Sequence, residues 1–259
     1  MLVDYHIHTS FSDGKGLHDE FVKAAVNKKL AEIGFSDHFS ILPSDWNTAK
    51  EDIPRIKDNI EELKNKKNLP VSVKFGAEID YIPGHEKEIE TLIQSLPLDY
   101  VIGSVHFIGD WNFDTTPKSF DGKDIGTLYE RYFTLLKQAV ETGLYDIVGH
   151  ADLIKKFDHR LDIKPVKLYE ELIESIKKMD MVVELNTNGV NKPCREFYPD
   201  RDFMELCKQY EIPVLISSDA HKPEQVGQYF DEAIDQLKSL GYLKIATFTE
   251  RKRKMVPMG

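Results

Sequence analysis

Cysteine is almost absent from this chain, which contains only Cys194 and Cys207 among its 259 residues. Two cysteines at this spacing cannot build a disulfide framework or a cysteine-based zinc site, so we expect both to be reduced packing residues. Basic residues are also in deficit, because 34 lysines and arginines face 44 aspartates and glutamates and leave a formal net charge of −10. Broad nucleic-acid binding normally requires a basic surface, so we expect no nucleic-acid partner.

Long apolar runs are missing as well. The chain starts with MLVDYHIH, which lacks the basic region, the apolar run and the cleavage site of a secretory signal. No later segment approaches the length of a membrane span. We therefore expect a cytoplasmic location without membrane association. The basic cluster RKRK at 251–254 is expected to be a solvated tail beside the chain end.

The sequence also lacks a segment with the composition of an interdomain linker. No stretch rich in proline, glycine or serine divides the chain, so we expect residues 1–259 to form a single domain. Short apolar runs alternate with helical patterns from end to end. Strands are predicted in LVDYHIH, AEIGFSDH, VSVKFGAEID, YVIGSVHF, DIVGHADL, MVVELNT and PVLISSDAH. Helices are predicted at 17–29, 50–67, 85–95, 126–142, 166–178, 202–210 and 223–239.

Polar side chains cluster where each predicted strand ends. In strand order they are His6 and His8, His38, Glu78 and Asp80, His106, His150 and Asp152, Glu184 and Asn186, and Asp219 and His221. Alternating strands and helices favour a parallel sheet, either open and doubly wound or closed into a barrel. An open sheet would scatter these side chains along an edge, whereas a barrel gathers them around one mouth. We therefore predict an α/β fold of TIM-barrel type, a distorted (β/α)7 barrel with its site at the C-terminal mouth.

The first strand ends in a His-Ile-His pair. Side chains of a β-strand alternate between faces, so His6 and His8 point the same way. Taken singly, each polar residue could be a core, capping or turn residue, and Asp13 lies in an ordinary Asp-Gly turn. Nine metal-competent residues at corresponding strand ends are hard to obtain from packing alone. They are His6, His8, Asp13, His38, Glu78, His106, His150, Asp219 and His221.

Imidazole and carboxylate ligands suit Zn, Mn or Fe, and nine of them divide into three sites if one carboxylate bridges. Glu78 is the best candidate for that bridge. The other histidines fit less well: His18 and His85 lie at predicted helix starts and are expected on the surface. His159 lies in a loop near the mouth and stays an open candidate.

Seven segments of the chain together resemble the polymerase and histidinol phosphatase superfamily. They are DYHIHTSFSDG, GFSDH, GAEIDY, GSVHF, GHADLIKKF, ELNTNG and SSDAHKPEQVG, and they span nearly the whole chain. The segments IGSVHFIGDWNFDT and NTNGVNKPCREFYP resemble the histidinol-phosphatase branch in particular. In that branch Asn191 stands where some relatives are expected to carry a basic residue.

The resemblance implies a (β/α)7 barrel with three divalent metal ions. By this resemblance, His6, His8, Glu78 and Asp219 hold one ion, Glu78, His106 and His150 hold the second, and Asp13, His38 and His221 hold the third. It also implies a phosphomonoesterase that hydrolyses L-histidinol phosphate to L-histidinol and phosphate in histidine biosynthesis. The alternatives are a nucleotide phosphatase or exonuclease of the same superfamily, and a non-catalytic domain of a larger assembly. The complete ligand set argues against the last, because an inactive domain has no need of nine ligands.

A phosphate dianion entering a mouth lined with carboxylates needs cationic side chains beside it. Arg160 and Arg195 follow the fifth and sixth predicted strands and are the candidates for that contact, although either could be a solvated surface arginine. Asp158, His159 and Arg160 form the predicted catalytic group, in which Asp158 or His159 would protonate the leaving alkoxide.

The organic part of such a small-molecule substrate carries an ammonium and an imidazole, which call for acidic or aromatic partners. Asp80, Tyr81, Phe107 and Asp114 lie just past strand ends and are the candidates, although they could serve only to shape the rim. The sequence leaves the oligomeric state open.

Overall fold

Strands and helices alternate along almost the entire chain in a computed structural model that describes residues 1–42 and 44–258. The helices are α1 (His18–Asn27), α2 (Ile53–Asn65), α3 (Glu86–Gln94), α4 (Ile125–Glu141), α5 (Val166–Lys178), α6 (Arg201–Gln209) and α7 (Phe230–Ser239). The strands are β1 (Val3–Asp4), β2 (Glu32–Phe35), β3 (His38–Phe39), β4 (Ser72–Asp80), β5 (Tyr100–Ser104), β6 (Phe107–Ile108), β7 (Trp111–Asn112), β8 (Ile147–Val148), β9 (Val182–Asn186), β10 (Val214–Ser217), β11 (Lys244–Thr249) and β12 (Lys252–Pro257).

The main sheet is parallel, in the order β1-β2-β4-β5-β8-β9-β10. The short strand β3 prolongs β2 along β4, where His38 pairs with Glu78. The sheet closes because the His8 N–H donates to the Ala220 carbonyl at 2.9 Å and the Ala220 N–H donates to the His6 carbonyl at 3.1 Å. The closed sheet has seven strand positions, so the predicted distorted (β/α)7 barrel is confirmed.

The helices pack outside the barrel through one apolar face each. On α5, Leu172, Ile173 and Ile176 are fully buried, as the helical spacing of apolar residues requires. Two helices begin at aspartate caps: the Asp124 carboxylate accepts from Thr127 N at 2.7 Å, and the Asp200 carboxylate accepts from Phe203 N at 3.0 Å. These caps satisfy backbone donors that have no partner inside the first helical turn.

An aromatic stack fills the N-terminal end of the barrel, here called the base. Tyr5 and Tyr100 stack with ring centroids 4.8 Å apart, and the Tyr100 hydroxyl donates to the Tyr5 carbonyl. A Cβ at Gly34 or Gly76 would overlap the Tyr100 ring, so both glycines are required for this close approach. Tyr5 and Tyr100 are therefore tightly packed at the base of the barrel.

The basic cluster at 251–254 was expected to be a solvated tail, but the structure places it in a hairpin with its two arginines ion-paired. Strands β11 and β12 form an antiparallel hairpin across the base, in which the Phe248 N–H donates to the Tyr5 hydroxyl at 3.3 Å. Arg251 pairs with Asp146 at 2.8 Å, and Arg253 pairs with Asp180 at 2.8 Å. Asp146 precedes β8 and Asp180 precedes β9, so both carboxylates lie at the base of the barrel. There they form ion pairs with the two arginines of the hairpin.

Both cysteines, Cys194 and Cys207, are buried and free, as the sequence predicted. None of the described helices is both long enough and apolar enough to cross a membrane. Nearly all of the described buried apolar side chains form one contiguous cluster around the strands. The assignment of residues 1–259 to a single domain stays a prediction.

Candidate metal centre

The barrel brings all nine predicted ligands together at the C-terminal mouth. Each follows or ends a strand, and the carboxyl ends of parallel strands surround one opening. His6 and His8 lie on the same side of the first strand, with ring centroids 5.0 Å apart. Ile7 between them is completely buried on the other side. The strand period of two thus aims both imidazoles into the mouth.

Glu78, at the centre of the cluster, is 1% exposed, and its two oxygens face different histidines. Oε2 lies 3.0 Å from both His6 Nε2 and His38 Nδ1, and 3.5 Å from His8 Nε2. Oε1 lies 2.8 Å from His150 Nε2. A carboxylate placed in this way can bind a different cation through each oxygen, which is the geometry of a bridging ligand.

The outer part of the cluster is built around two aspartates. His221 Nε2 lies 3.2 Å from Asp13 Oδ2, and His8 Nε2 lies 3.3 Å from Asp219 Oδ1. His38 Nε2 approaches Asp13 Oδ1 at 3.7 Å. His8 therefore faces three carboxylates and His38 faces two, so both connect the inner and outer parts of the cluster.

The polar atoms of the cluster fit a set of metal ligands. His6 Nε2, both ring nitrogens of His8, and Glu78 Oε2 are buried without a hydrogen-bond partner. Buried polar atoms in proteins are normally paired, so such a concentration calls for a bound group. Four-coordinate zinc with ligand bonds of about 2.0–2.1 Å has donor atoms about 3.3 Å apart. The separations of 2.8–3.7 Å around Glu78 bracket that value.

Carboxylates behind the cluster contact two of the predicted ligands. Asp80 Oδ1 lies 2.7 Å from His106 Nδ1, and Glu184 Oε1 lies 2.6 Å from His6 Nδ1. Metal-ligating histidines commonly donate their second ring N–H to a carboxylate in this way. Burial opposes the charged imidazolium of His106, but Asp80 outweighs it and raises the pKa of His106 to about 9. The carboxylates around His106 thus favour positive charge at this position.

The same balance holds elsewhere in the cluster. Burial opposes charge on Glu78, but His6 and His38 outweigh it and hold the pKa of that carboxyl well below its ordinary value. Burial also opposes the His221 imidazolium, but its contact with Asp13 raises the pKa of His221 to about 9. The carboxylates therefore stay ionised at neutral pH and available as ligands.

Ligand atoms within 4.8 Å of one another define four overlapping groups among the described residues. They are His8, Asp13, His38 and His221; His6, Glu78 and His150; His6, His8 and Asp219; and His38, Glu78 and His106. The predicted third set, Asp13, His38 and His221, lies within one group. His106 and His150, predicted to share an ion, fall in separate groups, although both face Glu78 Oε1. The geometry thus supports binding of a divalent metal at the mouth.

A cavity of about 290 Å³ opens above the cluster. Besides ligands, it is lined by Trp46, Asn112, Asp114, Thr115, Leu153, Lys156, Asn188, Lys192 and Tyr198. Lys156 Nζ donates to Asp114 Oδ1 at 2.6 Å, which holds its ammonium at the wall. The sequence interpretation included Asp114 but missed both lysines and Trp46. The adjacent KK in GHADLIKKF was the available signal, since one lysine of a pair on a short turn can face the site.

The predicted catalytic group does not line this cavity. Arg160 donates to Asp158 Oδ1 at 2.5 Å, to Glu196 Oε1 at 2.9 Å and to the Cys194 carbonyl at 2.7 Å, so its guanidinium is occupied in joining two loops. The ring of His159 stacks on Phe120 with centroids 4.4 Å apart. All three predicted side chains are thus engaged in contacts outside the cavity wall.

Four of the predicted substrate contacts also lie elsewhere. Arg195 has a backbone φ of +54° and lines a separate surface cavity. Asp80 is buried behind His106, and the Tyr81 hydroxyl donates to Glu86 at 3.1 Å. Phe107 is 8% exposed and lies outside the cavity wall. Their short distance from strand ends along the chain does not bring them to the cavity wall. Asp80 shares a strand face with Glu78 but is held behind the His106 ring.

His18 was expected on the surface, and that expectation was wrong. It is 3% exposed, with its ring 4.5 Å from the ring of Phe35 and 5.5 Å from that of Phe11. Although His18 begins α1, it lies on the face of the helix that packs against the barrel. Its hydrophobic surroundings, with both ring nitrogens unpaired, give it no place in the metal cluster. His85, by contrast, is exposed as expected.

A closed parallel barrel with clustered histidine and carboxylate ligands at its mouth defines a metal-binding β/α barrel protein. The family model described as PHP domain matches residues 4–188, and one described as PHP-associated matches residues 201–239. The chain therefore belongs to the PHP domain family, which confirms the resemblance seen in its sequence motifs. The first match contains seven of the nine predicted ligands, and Asp219 and His221 lie in the second.

Similar proteins are found at full length. A probable histidinol-phosphatase from Deinococcus radiodurans is 34% identical over 262 residues, covering 99% of both chains. A histidinol-phosphatase from Bacillus subtilis is 26% identical, covering 90% of this chain and 98% of that protein. The crystal structure of histidinol phosphate phosphatase from Lactococcus lactis, complexed with Zn, L-histidinol and phosphate, superposes with a TM-score of 0.83 at 24% identity and covers 98% of both chains. That likeness shows a shared fold.

Proposed function

We propose that this chain is a metal-dependent histidinol-phosphatase, which hydrolyses L-histidinol phosphate to L-histidinol and phosphate in histidine biosynthesis. Full-length similarity to the Deinococcus and Bacillus proteins supports this substrate. The observation that carries the proposal is the Glu78-centred ligand cluster at the floor of a cavity whose wall holds two lysines. A cytoplasmic single-domain enzyme is the form expected of this biosynthetic activity.

The nine clustered residues would hold three divalent ions of Zn, Mn or Fe, with Glu78 as the bridge. When bound, such ions neutralise phosphate charge and lower the pKa of a water so that it can attack at neutral pH. His6, His8 and Asp219 are grouped, as are His8, Asp13, His38 and His221, which supports two of the ion positions. The inner position draws on Glu78 with His106 and His150, whose nitrogens lie 3.7 Å and 2.8 Å from its Oε1.

Phosphate binding falls to the lysines of the cavity wall rather than to the predicted arginines. Lys156 and Lys192 both line the cavity, and Lys156 is held there by Asp114. A lysine ammonium supplies a point charge that complements the phosphoryl oxygens not neutralised by the ions. Because the Lys156 side chain is only 15% exposed, its contact with a phosphate would be weakly screened by solvent.

The organic part of the substrate would lie toward the outer wall. Asp114 offers a carboxylate to an ammonium, and Trp46 offers an aromatic face to an ammonium or imidazole. The Trp46 ring lies 4.5 Å from the His38 ring and 5.5 Å from the His106 ring, directly beside the ligand cluster. A substrate whose phosphate reaches the ions would therefore bring its remaining part against Trp46.

The test is turnover by purified protein supplied with Zn, Mn or Fe. L-Histidinol phosphate should be hydrolysed with a higher kcat/KM than an aryl phosphate or a nucleotide, because only it carries both the ammonium and the imidazole. Equal turnover of all three would indicate a general phosphatase. Preference for nucleotides or single-stranded DNA would favour the nuclease alternative, as would be expected of a relative of the Bacillus subtilis DNA polymerase/3′-5′ exonuclease PolX, 22% identical over 226 residues.

A further inference from the structure

Glu184 lies on β9 behind the ligand cluster and is completely buried. Its two oxygens accept four hydrogen bonds. Oε1 lies 2.6 Å from His6 Nδ1 and accepts from the Ser217 hydroxyl. Oε2 accepts from the backbone N–H of His150 at 2.7 Å and from Asn186 Nδ2 at 3.2 Å. One carboxylate is therefore bonded to two of the predicted ligands, to the side chain of one and to the main chain of the other.

We propose that Glu184 is a positioning residue that couples two predicted metal ligands, His6 and His150, and thereby sets the metal affinity of the cluster. This inference rests on the metal-binding role proposed for the cluster. By accepting from His6 Nδ1–H, Glu184 selects the tautomer in which Nε2 carries the lone pair, and Nε2 is the nitrogen that faces Glu78 at 3.0 Å.

The contact with His150 acts through the backbone. His150 has a φ of +21°, at the edge of the region that L-residues rarely adopt, and its N–H is held by Glu184 Oε2. The ring nitrogen Nε2 of His150 faces Glu78 Oε1 at 2.8 Å. Fixing the backbone at this position fixes the direction from which the ring approaches Glu78. Glu184 thus aims imidazoles at both oxygens of the predicted bridge.

Only an ionised carboxylate can fill this position. All four neighbouring groups present hydrogens, and a carboxylate is the side chain that only accepts hydrogen bonds. A glutamine has the same size, but its NH2 group would meet two of those donors. Whichever way the amide is turned, either the His6 and Ser217 pair or the His150 and Asn186 pair loses its acceptor.

Asp80 provides a contrast within the same site. Its Oδ1 supports His106 at 2.7 Å, but its Oδ2 is buried without a hydrogen-bond partner. Asp80 therefore supports a single ligand, whereas both oxygens of Glu184 are used. Loss of the Glu184 charge should disturb two ligands at once, and loss of the Asp80 charge should disturb one.

The experiment compares metal binding by wild type, Glu184→Gln, Asp80→Asn and Glu32→Gln. Glu32 is the matched control, a largely buried carboxylate at the base whose Oε2 accepts from the Tyr5 hydroxyl. Zinc content is measured by mass spectrometry after dialysis against buffered free zinc, and affinity is measured by competition with a chromophoric chelator. We expect zinc affinity to fall about 10–100-fold in Glu184→Gln, by less in Asp80→Asn and not at all in Glu32→Gln.

A spectroscopic readout separates positioning from loss of structure. In long-range ¹H–¹⁵N spectra of the zinc-loaded protein, His6 should be a single Nδ1–H tautomer in wild type and should lose that uniform state in Glu184→Gln. If Glu184→Gln does not fold, Ser217→Ala removes one donor to the same oxygen and should weaken zinc binding by a smaller factor.

Wild-type zinc content and affinity in a folded Glu184→Gln protein would overturn the inference, as would unchanged zinc binding and His6 resonances in Ser217→Ala if that variant has to be used. Both readouts are independent of the substrate. A protein that binds zinc as expected but does not hydrolyse histidinol phosphate would contradict the proposed function and leave the role of Glu184 intact.

Discussion

Asp99 at the base of the barrel and Glu78 at its mouth are buried carboxylates with different surroundings. At the base, Asp99 binds Lys64 Nζ at 2.6 Å, the Phe75 N–H at 2.9 Å and the Glu250 N–H at 3.2 Å. At the mouth, Glu78 is surrounded by histidines and retains a buried oxygen without a hydrogen-bond partner. Asp99 therefore pairs with the protein's own donors and stabilises the fold, whereas the predicted ligand Glu78 keeps an oxygen free for a cation.

The difference between base and mouth predicts that stability and activity depend on different residues. Residues at the N-terminal face of such a barrel mainly stabilise it, and residues at the C-terminal face carry its chemistry. Changes at the mouth should thus alter metal binding and turnover more than unfolding. Changes at the base should do the reverse, so variants at the two ends test whether the comparison holds.

Removing the metals should have the largest effect on activity, because the proposed mechanism depends on their positive charge. Dialysis against a chelator is expected to abolish phosphatase activity, and Zn, Mn or Fe should restore it. Gently purified protein should contain about two to three metal equivalents per chain, measured by elemental analysis. Full activity in metal-free protein would contradict the mechanism and remove the functional distinction between the two ends.

Glu78→Gln should come next, since the variant keeps the size of the side chain but loses the bridging charge. We expect kcat/KM to fall by more than the roughly 10–100-fold that changes behind the ligands produce, with the fold retained by circular dichroism. Glu32→Gln serves as the control, because it makes the same change at the base. Near-normal turnover by Glu78→Gln would show that the bridge is misassigned.

Lys156→Ala tests which cation binds the phosphate. Loss of a charge-assisted contact costs about 1.5–3 kcal/mol, so kcat/KM should fall by about one to two orders of magnitude. Arg195→Ala should change it little, because Arg195 lines a separate cavity. Arg160→Ala should have an intermediate effect, since it loosens a loop joined to Cys194 and Glu196. The measurement is steady-state kinetics. A larger loss of kcat/KM in either arginine variant than in Lys156→Ala would indicate that an arginine binds the phosphate.

Phe248→Ala should have the smallest effect on turnover and a large one on stability. Phe248 is 3% exposed and lies 6.4 Å from the Tyr100 ring at the base. Truncating a buried phenylalanine typically lowers the free energy of unfolding by about 3–5 kcal/mol. Urea unfolding should show this loss while the kcat of the folded protein stays near the wild-type value. A matching loss of kcat in fully folded protein would mean that the two ends are not independent.

Much of the secondary structure could be predicted because helix and strand periodicity are local properties. The predicted helix 166–178 corresponds to Val166–Lys178, and 202–210 corresponds to Arg201–Gln209. The last helix was predicted from 223 but begins at Phe230, because a short 3₁₀ turn and Tyr229, with a φ of +56°, precede it. The β11–β12 hairpin was missed, since the run of basic residues obscured the strand pattern.

The sequence alone determined which residues meet at the mouth, because a strand of period two and a shared strand direction are enough to bring His6, Glu78 and Asp219 together. Only the tertiary structure decided which lysine and arginine side chains lie beside them. Lys156 faces the cavity and Arg160 does not, although both lie in the same loop. That loop contains a 3₁₀ turn and Asp158 at a φ of +66°, so side-chain direction there follows no repeating period. It is set by long-range partners such as Asp114 and Glu196, which only the folded chain brings near.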